Sequence, residues 1–415
     1  MFEGYISNFR LLSPNVKIFL AGNAIQAFGL SIYTLLFNLY LKELGFGESS
    51  IGNLISTSSL GIAVMAIPAS LFVEKFHVKH LVALGMFVST VLYLFQVQFT
   101  SEVALFSLGL FASMFQALFN ISVSPFYLRN STPNVRMHLF TLNSALVMVA
   151  NFFGYFSGGF LPQVLEFFTS NYNPLQVYRA SLMVALVVMF SSNFMFLKIK
   201  KVPIPKNKKK LIDGLKEKEW SILGKLILPK LCFAFGGGLI VPFMNLYLKE
   251  KFDLSTQMIG ISYALLQLFI FLGIFVTPSL VKKTTPLKFI MITSVFSIPF
   301  MILMGMTGNI GIVLSCFFLR GMLMNMSSPI TSMFEMEKVR EHECVFASAM
   351  ILFFYNLVYT SSTRIGGHLI ENFSFGTTFY LAASFYGAAI ILYYKFFKNE
   401  EKAKPEAPVE YKEAA

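Results

Sequence analysis

Long apolar segments alternate with short polar connections along almost the whole chain. Each apolar segment has about 20 residues, the length that an α-helix needs to cross a bilayer. The segments lack the alternation of apolar and polar positions that a membrane β-strand requires. The pattern therefore predicts an all-α membrane protein with twelve spanning helices, at residues 16–41, 50–72, 81–99, 102–126, 138–162, 174–197, 222–248, 256–279, 287–305, 309–333, 344–368 and 374–397.

A polar segment divides these helices into two sets of six. Residues 198–221 are rich in lysine and contain two prolines, which predicts a basic cytoplasmic linker beside anionic lipid headgroups. We expect an amino-terminal six-helix bundle at residues 1–197 and a carboxy-terminal six-helix bundle at residues 222–397. Residues 398–415 are charged and contain proline, so they predict a disordered cytoplasmic tail.

The two sets of helices carry a repeated sequence. The hexapeptide NLYLKE occurs at Asn38–Glu43 and again at Asn245–Glu250, close to half the chain length away. Further on, SGGFLP (Ser157–Pro162) lies opposite IGGHLI (Ile365–Ile370) at nearly the same spacing. Each half has an even number of spans, so the two halves run in the same orientation. Parallel halves related by an axis along the membrane normal are a transporter architecture, with the solute site between the halves near the midplane.

Composition and charge support a membrane protein. Apolar types make up 55 % of the residues and charged types 13 %, against roughly 25 % charged in a soluble domain. With the amino terminus placed in the cytoplasm, four of the 33 Lys and Arg residues fall in outer loops, three fall inside helices and the remaining 26 are cytoplasmic. This asymmetry predicts an integral plasma (inner) membrane protein with both termini in the cytoplasm. It also accounts for the positive charge without a nucleic-acid partner.

Motifs of the common enzyme classes are missing from the sequence. It has no HExxH, GxSxG or GxxxxGK[ST] pattern, and its three cysteines show no CxxC spacing. The densest acidic run, Phe334–Glu343, is predicted to be the cytoplasmic loop between the tenth and eleventh helices. We therefore expect no catalytic residue, no metal and no cofactor. A membrane enzyme or receptor is the remote alternative.

Three basic residues lie inside the predicted helices, where a charge is costly and a functional role is expected. Arg320 lies about 16 Å into the predicted tenth helix at 1.5 Å per residue, and no acidic residue is predicted near the midplane. Its guanidinium must therefore meet backbone carbonyls, cavity water or an anionic solute. Lys230 either snorkels towards the cytoplasm or adds a second cation to a cavity. Arg364 serves either an outer gate or the membrane interface.

The duplicated twelve-helix pattern resembles the major facilitator superfamily over the chain up to about residue 397. Between its second and third helices that family has a Gly-x-x-x-Asp-Arg-x-Gly-Arg-Arg pattern, and this sequence reads SLFVEKFHVKH (Ser70–His80). Glu74 takes the acidic place, and Lys75 and Lys79 take basic places. The resemblance implies that Glu74, Lys75 and Lys79 belong to a cytoplasmic latch, with Glu74 near the start of the eleventh helix.

Two further motifs of the family are present in degenerate form. Helix 4 of many members carries Arg-x-x-Gln-Gly; this sequence keeps Gln116 but has Ser113 in place of the arginine, which argues against standard proton-coupled drug export. Helix 5 of many antiporters ends in Gly-Pro-x-x-Gly-Gly, and here Gly154, Gly158 and Gly159 remain without the proline. These glycines favour antiport or export. They also suit close packing of membrane helices through small residues, and the two interpretations are compatible.

The resemblance implies a central cavity lined by helices 1, 4, 7 and 10. The polar residues on these helices are the candidate substrate-binding residues: Asn23, Gln26, Tyr33, Gln116, Asn120, Lys230, Arg320 and Asn325. Spacings of three and seven residues place Asn23, Gln26 and Tyr33 on one helix face. The duplication aligns Asn23 with Lys230 and Gln116 with Arg320, so a polar first half would face a cationic second half. Supporting candidates on helices 5, 8 and 11 are Asn143, Asn151, Tyr263, Gln267, Tyr355, Asn356 and Tyr359.

These features predict a secondary active or facilitative transporter that works by alternating access. A cationic, aromatic-rich cavity favours a small organic solute that is anionic or amphiphilic. A sugar, a drug or a lipid carried by the same fold is the alternative. The expected partners are the solute and the lipid bilayer, and we expect a monomer.

Overall fold

The computed structural model describes residues 12–131, 133–168, 173–200, 220–281, 284–339 and 344–398. These residues form twelve membrane-length helices, which we number α1 to α12. Their bounds are α1 Pro14–Glu43, α2 Glu48–Lys75, α3 Val78–Gln98, α4 Glu102–Asn130, α5 Pro133–Phe168, α6 Pro174–Lys198, α7 Trp220–Phe252 with a break, α8 Thr256–Val281, α9 Pro286–Met306, α10 Ile310–Glu337, α11 Cys344–Asn372 and α12 Phe375–Phe397.

The seventh helix is broken, although the sequence pattern predicts one continuous span. Its first part is Trp220–Ile240 (α7a) and its second part is Met244–Phe252 (α7b), with a 3₁₀ turn at Val241–Phe243 between them. Pro242 lies in that turn. Proline has no backbone N–H and its ring clashes with the preceding turn, so the helix cannot continue unchanged through it. Position 35, the counterpart of Pro242 in the repeat, is Leu35, and α1 is unbroken.

Other differences from the predicted spans lie at helix ends. The tenth helix continues to Glu337, four residues past its predicted end. The start of the acidic run at Phe334 is therefore helical, and the prediction that the whole run is a loop is wrong. The predicted linker lies mostly outside the described residues, as does nearly all of the predicted tail.

Local sequence explains several helix starts. Ser13 precedes α1 and its side chain accepts a hydrogen bond from the Val16 amide, while Pro14 opens the helix. Asn173 and Gln176 form a capping box at the start of α6. Both arrangements satisfy amide groups that have no partner inside the helix. The helices therefore begin at defined residues beside short loops.

The packing of the helices repeats between the two halves. In the first half α1 packs on α5 and α6, and α4 packs on α2 and α3. The same pairs recur six helices later, as α7 on α11 and α12, and α10 on α8 and α9. Between the halves, α2 packs on α11 and α8 packs on α5, which are again equivalent pairs. The fold is thus two parallel six-helix halves related by a pseudo-two-fold axis.

The outer surface suits a bilayer. Of the twelve helices formed by the described residues, eleven are long and apolar enough to span a membrane. The remaining helix, α11, has 29 residues and carries Arg364 and Glu371. Large apolar side chains such as Phe275, Phe296 and Ile391 are exposed on the described surface. With helical hydrogen bonds satisfied within each span, such a surface is stable in lipid.

Candidate functional site

We call the end of the bundle that carries the connection between α1 and α2 the loop end, and the opposite end the termini end. The largest apolar cluster lies towards the loop end and contains residues of both halves, for example Leu36 and Leu246. Three smaller clusters each stay within one half. Apolar packing therefore joins the halves at the loop end.

Two asparagines at equivalent places in the repeat bind each other across the seam. Asn38 donates to the Oδ1 of Asn245 at 3.0 Å and to the backbone carbonyl of Pro242 at 2.7 Å. Asn245 donates to the backbone carbonyl of Leu35 at 3.0 Å. Leu35 and Pro242 are each three residues before the asparagine of their own half, so the contacts are reciprocal. Asn38 is 6 % exposed and Asn245 is 2 % exposed, so this pair, the asparagine clasp, is buried.

Glycine pairs bring the helices of the two halves into close contact. A Cβ atom added to Gly159 would lie 2.8 Å from the Cα of Gly260, and one added to Gly52 would lie 3.2 Å from the Cα of Gly367. The two pairs are equivalent in the repeat. Gly154 and Gly158 pack instead on α1 of the same half, where an added Cβ would lie 2.6 Å and 3.2 Å from the nearest atoms. The antiporter-like glycines of helix 5 therefore serve close packing, both inside the first half and across the seam.

Polar contacts at the loop end also come as an equivalent pair. The backbone amide of Ser49 donates to Glu371 at 2.8 Å, and the side chain of Gln257 donates to that of Gln163 at 2.6 Å. Ser49 corresponds to Gln257, and Glu371 corresponds to Gln163. The contact surface between the halves is thus symmetric at the asparagine clasp, at the glycine pairs and at these polar contacts.

Charged groups add contacts that have no symmetric copy. Lys42 binds Glu48 of its own half and lies 2.9 Å from Glu250 of the other half. Arg364 crosses from the second half to the first: its Nε donates to Ser56 at 3.1 Å, and its guanidinium lies 5.6 Å from the ring centroid of Phe106. These contacts place Arg364 between the two halves at the loop end.

Between described residues, every hydrogen bond and ion pair that joins the two halves lies towards the loop end. Mid-helix polar residues Asn120 on α4 and Asn325 on α10 are exposed. The molecule is therefore closed at the loop end.

The candidate polar residues of the first half are held by neighbouring helices. Asn23, Gln26 and Tyr33 are all buried, but each bonds a different helix. Their acceptors are Asn143 on α5 at 2.8 Å, Gln116 on α4 at 3.5 Å and Gln96 on α3 at 2.9 Å. The three side chains of this face of α1 are therefore each directed to a different neighbouring helix. Gln116 also donates to Asn120 at 3.5 Å, so Gln26, Gln116 and Asn120 form one short polar chain.

Arg320 is buried and incompletely paired. It is 6 % exposed, and one of its terminal nitrogens donates to the Tyr386 hydroxyl at 2.9 Å. Its guanidinium also lies 5.5 Å from the Tyr386 ring centroid. The Nε has no hydrogen-bond acceptor, and no ion pair joins Arg320 to a described carboxylate. A buried guanidinium has five N–H groups, so this one can still bind an anion.

Lys230 has a carboxylate partner that the sequence pattern does not suggest. Its ammonium lies 2.7–2.8 Å from both oxygens of Glu335 on α10. Glu335 is 2 % exposed, although it was expected in a solvated loop. The pair neutralises both charges, so Lys230 is neither a free cavity cation nor a side chain that snorkels alone. Arg320 is left as the candidate cation without a carboxylate among the described residues.

The predicted latch lies at the termini end. Lys75 is exposed and Lys79 is half-buried. The side chain of Glu74 lies outside the described residues, as do those of residues 344–346 at the start of α11. The latch therefore stays a prediction.

Several features of the site were missed in the sequence. The repeat includes Asn38 and Asn245, but the sequence does not show that their side chains form hydrogen bonds between the halves. Tyr386 and Glu335 carry no motif, and they become visible as partners only when α12 and α10 pack beside Arg320 and Lys230. An apolar residue on each side of Glu335 was the one available signal that the helix continues through it.

Comparisons with known proteins agree with this architecture. A family model described as Major Facilitator Superfamily matches residues 19–363. A search of curated proteins finds no match.

Solved structures of similar fold cover almost the whole chain. A bacterial homologue of the human lysosomal transporter Spinster, in an inward-facing and occupied conformation, has a TM-score of 0.74 at 12 % identity and covers 94 % of this chain and 98 % of that chain. The nucleoside transporter NupG has a TM-score of 0.72 at 13 % identity, covering 94 % and 100 %. A D-xylose-proton symporter has a TM-score of 0.69 at 12 % identity, covering 94 % and 98 %. At these identities the likeness establishes the fold and leaves the solute open.

Proposed function

Because the chain belongs to the Major Facilitator Superfamily, and is therefore a membrane transporter rather than an enzyme, we propose that it carries an anionic or amphiphilic organic solute by alternating access. The solute site lies on the seam between the halves, beside Arg320. The polar residues Asn23, Gln26, Tyr33, Gln116, Asn120 and Asn325 contribute further contacts.

The incompletely paired guanidinium of Arg320 carries this proposal. A buried charge is costly unless it is paired and hydrogen-bonded. One tyrosine hydroxyl supplies a single acceptor for five N–H groups. An anionic group on the solute would supply the missing acceptors and charge. Because the Lys230–Glu335 pair is already neutral, Arg320 is the group that would distinguish an anion from its neutral analogue.

Transport by reconstituted protein tests the role of Arg320. Lactate, benzoate and D-glucuronate would be compared with lactamide, benzamide and D-glucose in proteoliposomes. We expect Arg320→Gln to weaken binding of the transported anion by about 2 kcal/mol or more, which is roughly 30-fold in Kd. Arg320→Lys should restore part of the loss, because it keeps the charge but not the planar fork.

Lys249→Gln is the matched control, since the side chain of Lys249 is 39 % exposed and pairs with Asp253 at the end of its own helix. Equal anion affinity in Arg320→Gln and the wild type would contradict the proposal. A wild-type protein that prefers the neutral analogues would contradict it as well.

We propose that the loop-end contacts are one of two alternating gates. The asparagine clasp, the pair Gly159 and Gly260, and the Arg364 contacts would separate when the loop end opens. The latch of Glu74, Lys75 and Lys79 would then hold the termini end closed. Alternation between two conformations needs contacts that differ between them, and the loop-end contacts are the set that belongs to the conformation closed at the loop end.

We further propose exchange or export as the transport mode. Arg320 has no described carboxylate partner, which argues against a simple proton-carrying acid at this site, and the helix 5 glycines favour antiport. Proteoliposomes preloaded with unlabelled solute should then take up labelled solute faster than empty ones. Equal initial rates with and without preloading would rule out obligatory exchange.

The distribution of Lys and Arg supports both termini in the cytoplasm of a plasma-membrane protein. In that orientation the structure is closed to the outside. A reporter fused to the carboxy terminus, active only in the cytoplasm, checks the assignment. Activity of a reporter that works only outside the cytoplasm would reverse it.

A further inference from the structure

A cavity of about 230 Å³ opens beside the seam within the first half. Its walls come from α1, α2, α3 and α4 and also include Pro242 and Tyr359 of the second half. We call it the Tyr93 pocket. It is smaller than the roughly 300–1,000 Å³ of a site for a drug-sized ligand, so it holds part of a solute.

The walls of the Tyr93 pocket are aromatic and polar but carry no charge among its described lining residues. The rings of Tyr33 and Tyr93 lie 5.0 Å apart at 42°, and Phe37 stacks on Tyr33 at 5.0 Å. Aromatic faces of this kind bind the faces of other rings. The missing charge favours a neutral group in this pocket.

One wall of the pocket is fixed by internal hydrogen bonds. The Tyr33 hydroxyl donates to Gln96 at 2.9 Å, and Gln96 donates to the Leu105 carbonyl at 2.8 Å. A Cβ added to Gly109 would lie 2.5 Å from the Gln96 amide nitrogen, so Gln96 packs tightly against α4. These groups are already paired and shape the pocket.

Other polar groups in the walls lack partners. Tyr93 is 7 % exposed and Ser59 is 8 % exposed, and neither hydroxyl forms a hydrogen bond with a described residue. Neither oxygen is among the buried unpartnered side-chain atoms of the described residues, so both hydroxyls are reached from the cavity. A ligand in the cavity can therefore donate to them and accept hydrogen bonds from them.

Tyrosines of α11 and α12 lie between the pocket and Arg320. Tyr359, which lines the pocket, stacks on Tyr355 with 6.0 Å between ring centroids. A Cβ added to Gly237 would lie 3.7 Å from both the Tyr359 ring and the Tyr386 hydroxyl, and Arg320 donates to that hydroxyl. One solute could therefore place its anionic group at Arg320 and another group in the Tyr93 pocket.

We propose that the Tyr93 pocket is a specificity subsite for a neutral ring that bears hydroxyl groups, and that the solute is an organic anion carrying such a ring. The proposal rests on the proposed function for the anionic part of the solute. The ring stacks on Tyr33 and Tyr93, and its hydroxyls pair with those of Tyr93 and Ser59.

Binding to purified full-length protein tests the subsite with four probes. D-glucuronate and D-glucose 6-phosphate have both a charge and a hydroxylated ring, D-glucose lacks the charge, and cyclohexanecarboxylate lacks the hydroxyls. We expect the wild type to bind the first two most tightly. Tyr93→Phe should weaken them about 2- to 10-fold, the loss expected for one neutral hydrogen bond, and leave cyclohexanecarboxylate unchanged.

A second variant and a control distinguish a selective loss of binding from a general loss of folded protein. Ser58→Leu, which fills the pocket from an exposed lining position, should abolish the preference for hydroxylated rings. Tyr380→Phe, at a tyrosine of α12 that is 46 % exposed, should leave the binding of all four probes unchanged. Equal binding of D-glucuronate by the wild type and Tyr93→Phe overturns the subsite, as does absence of binding by every hydroxylated probe.

The two proposals fail separately. If Arg320→Gln removes the advantage of the anions while Tyr93→Phe has no selective effect, the subsite is wrong and the anion transporter stands. If Tyr93→Phe is selective but Arg320→Gln is silent, the ring subsite stands and the anionic part of the solute is wrong.

Discussion

Removal of the asparagine clasp should open the loop end. Asn38→Ala deletes two hydrogen bonds across the seam, of 2.7 and 3.0 Å. Asn245→Ala deletes the second of these and the 3.0 Å bond to the Leu35 carbonyl. A neutral hydrogen bond contributes about 0.5–1.5 kcal/mol net, so each variant should lose about 1–3 kcal/mol from the closed state. That loss shifts the ratio of closed to open molecules about 5- to 150-fold.

Spin labels at Glu102 and Gly308 would measure this shift. Both residues are exposed at the loop end, one in each half: Glu102 begins α4, and Gly308 lies between α9 and α10. In a background with the three cysteines replaced by alanine, double electron–electron resonance should give one short distance for the parent protein. The clasp variants should add a longer distance. Because both asparagines share one hydrogen bond, the free-energy change in the double variant should be smaller than the sum of the changes in the single variants.

The control is Asn193→Ala. Asn193 is also buried, but it donates to its own helix at Phe190 and has no partner in the other half. If it shifts the distances as much as Asn38→Ala does, the effect is general loosening and the clasp is not a gate. Unchanged distances in both clasp variants would refute the reasoning as well.

Three further substitutions have defined outcomes. Gly159→Ala places a methyl group 2.8 Å from a Cα across the seam and should raise the open fraction in the same spin-label assay, whereas Gly224→Ala, with no atom within 4 Å, should not. Lys230→Gln leaves a buried carboxylate at Glu335 unpaired and should lower stability by about 3 kcal/mol in thermal unfolding, with part of the loss recovered by adding Glu335→Gln. Arg364→Gln removes a 3.1 Å hydrogen bond and a cation–π contact to the other half, and should also populate the open loop end; retention of the parent distances would exclude it from the gate.

The twelve helices, their repeat and their parallel halves could be predicted because the physics behind them is local. Apolar length and the positions of charges decide whether a segment spans a membrane, and the NLYLKE repeat indicates the duplication. The break at Pro242 also has a local cause. Proline is tolerated in many of these helices, however, for example Pro68 and Pro125, so its presence alone does not say which helix will break.

The candidate site was predictable in part, because polar types on a spanning helix are few. Arg320 stood out as a charge with no acidic residue nearby, and its incomplete pairing agrees with that prediction. Its contact with Tyr386 and the pair Lys230–Glu335 depend on which helices become neighbours. Residues 66 and 105 positions apart carry no local signal that they will meet.

The pseudo-two-fold axis explains why part of the repeat kept its sequence. A residue on such an axis meets its own copy, so it must be complementary to itself, as in a symmetric dimer interface. The carboxamide of asparagine is both donor and acceptor, so Asn38 can donate to the side-chain oxygen of Asn245 while each amide also donates to a backbone carbonyl of the other half. Adjacent Lys and Glu in each copy are also self-complementary in principle, and Lys42 does bind Glu250.

Away from the axis, a residue meets a different partner and the two copies are free to diverge. Lys249 pairs with Asp253 of its own half, 3.4 Å away, because the second copy has a different connection after the hexapeptide. Gln116 and Arg320 are equivalent in the repeat, yet one belongs to a neutral polar chain and the other is a buried cation. A solute without two-fold symmetry requires such a difference between the halves. Symmetry at the gate and asymmetry at the site therefore follow from the same duplication. The double substitution Gln116→Arg with Arg320→Gln, which exchanges these two side chains between the halves, should abolish anion binding. It should leave the spin-label distances across the loop end unchanged, because the asparagine clasp is intact.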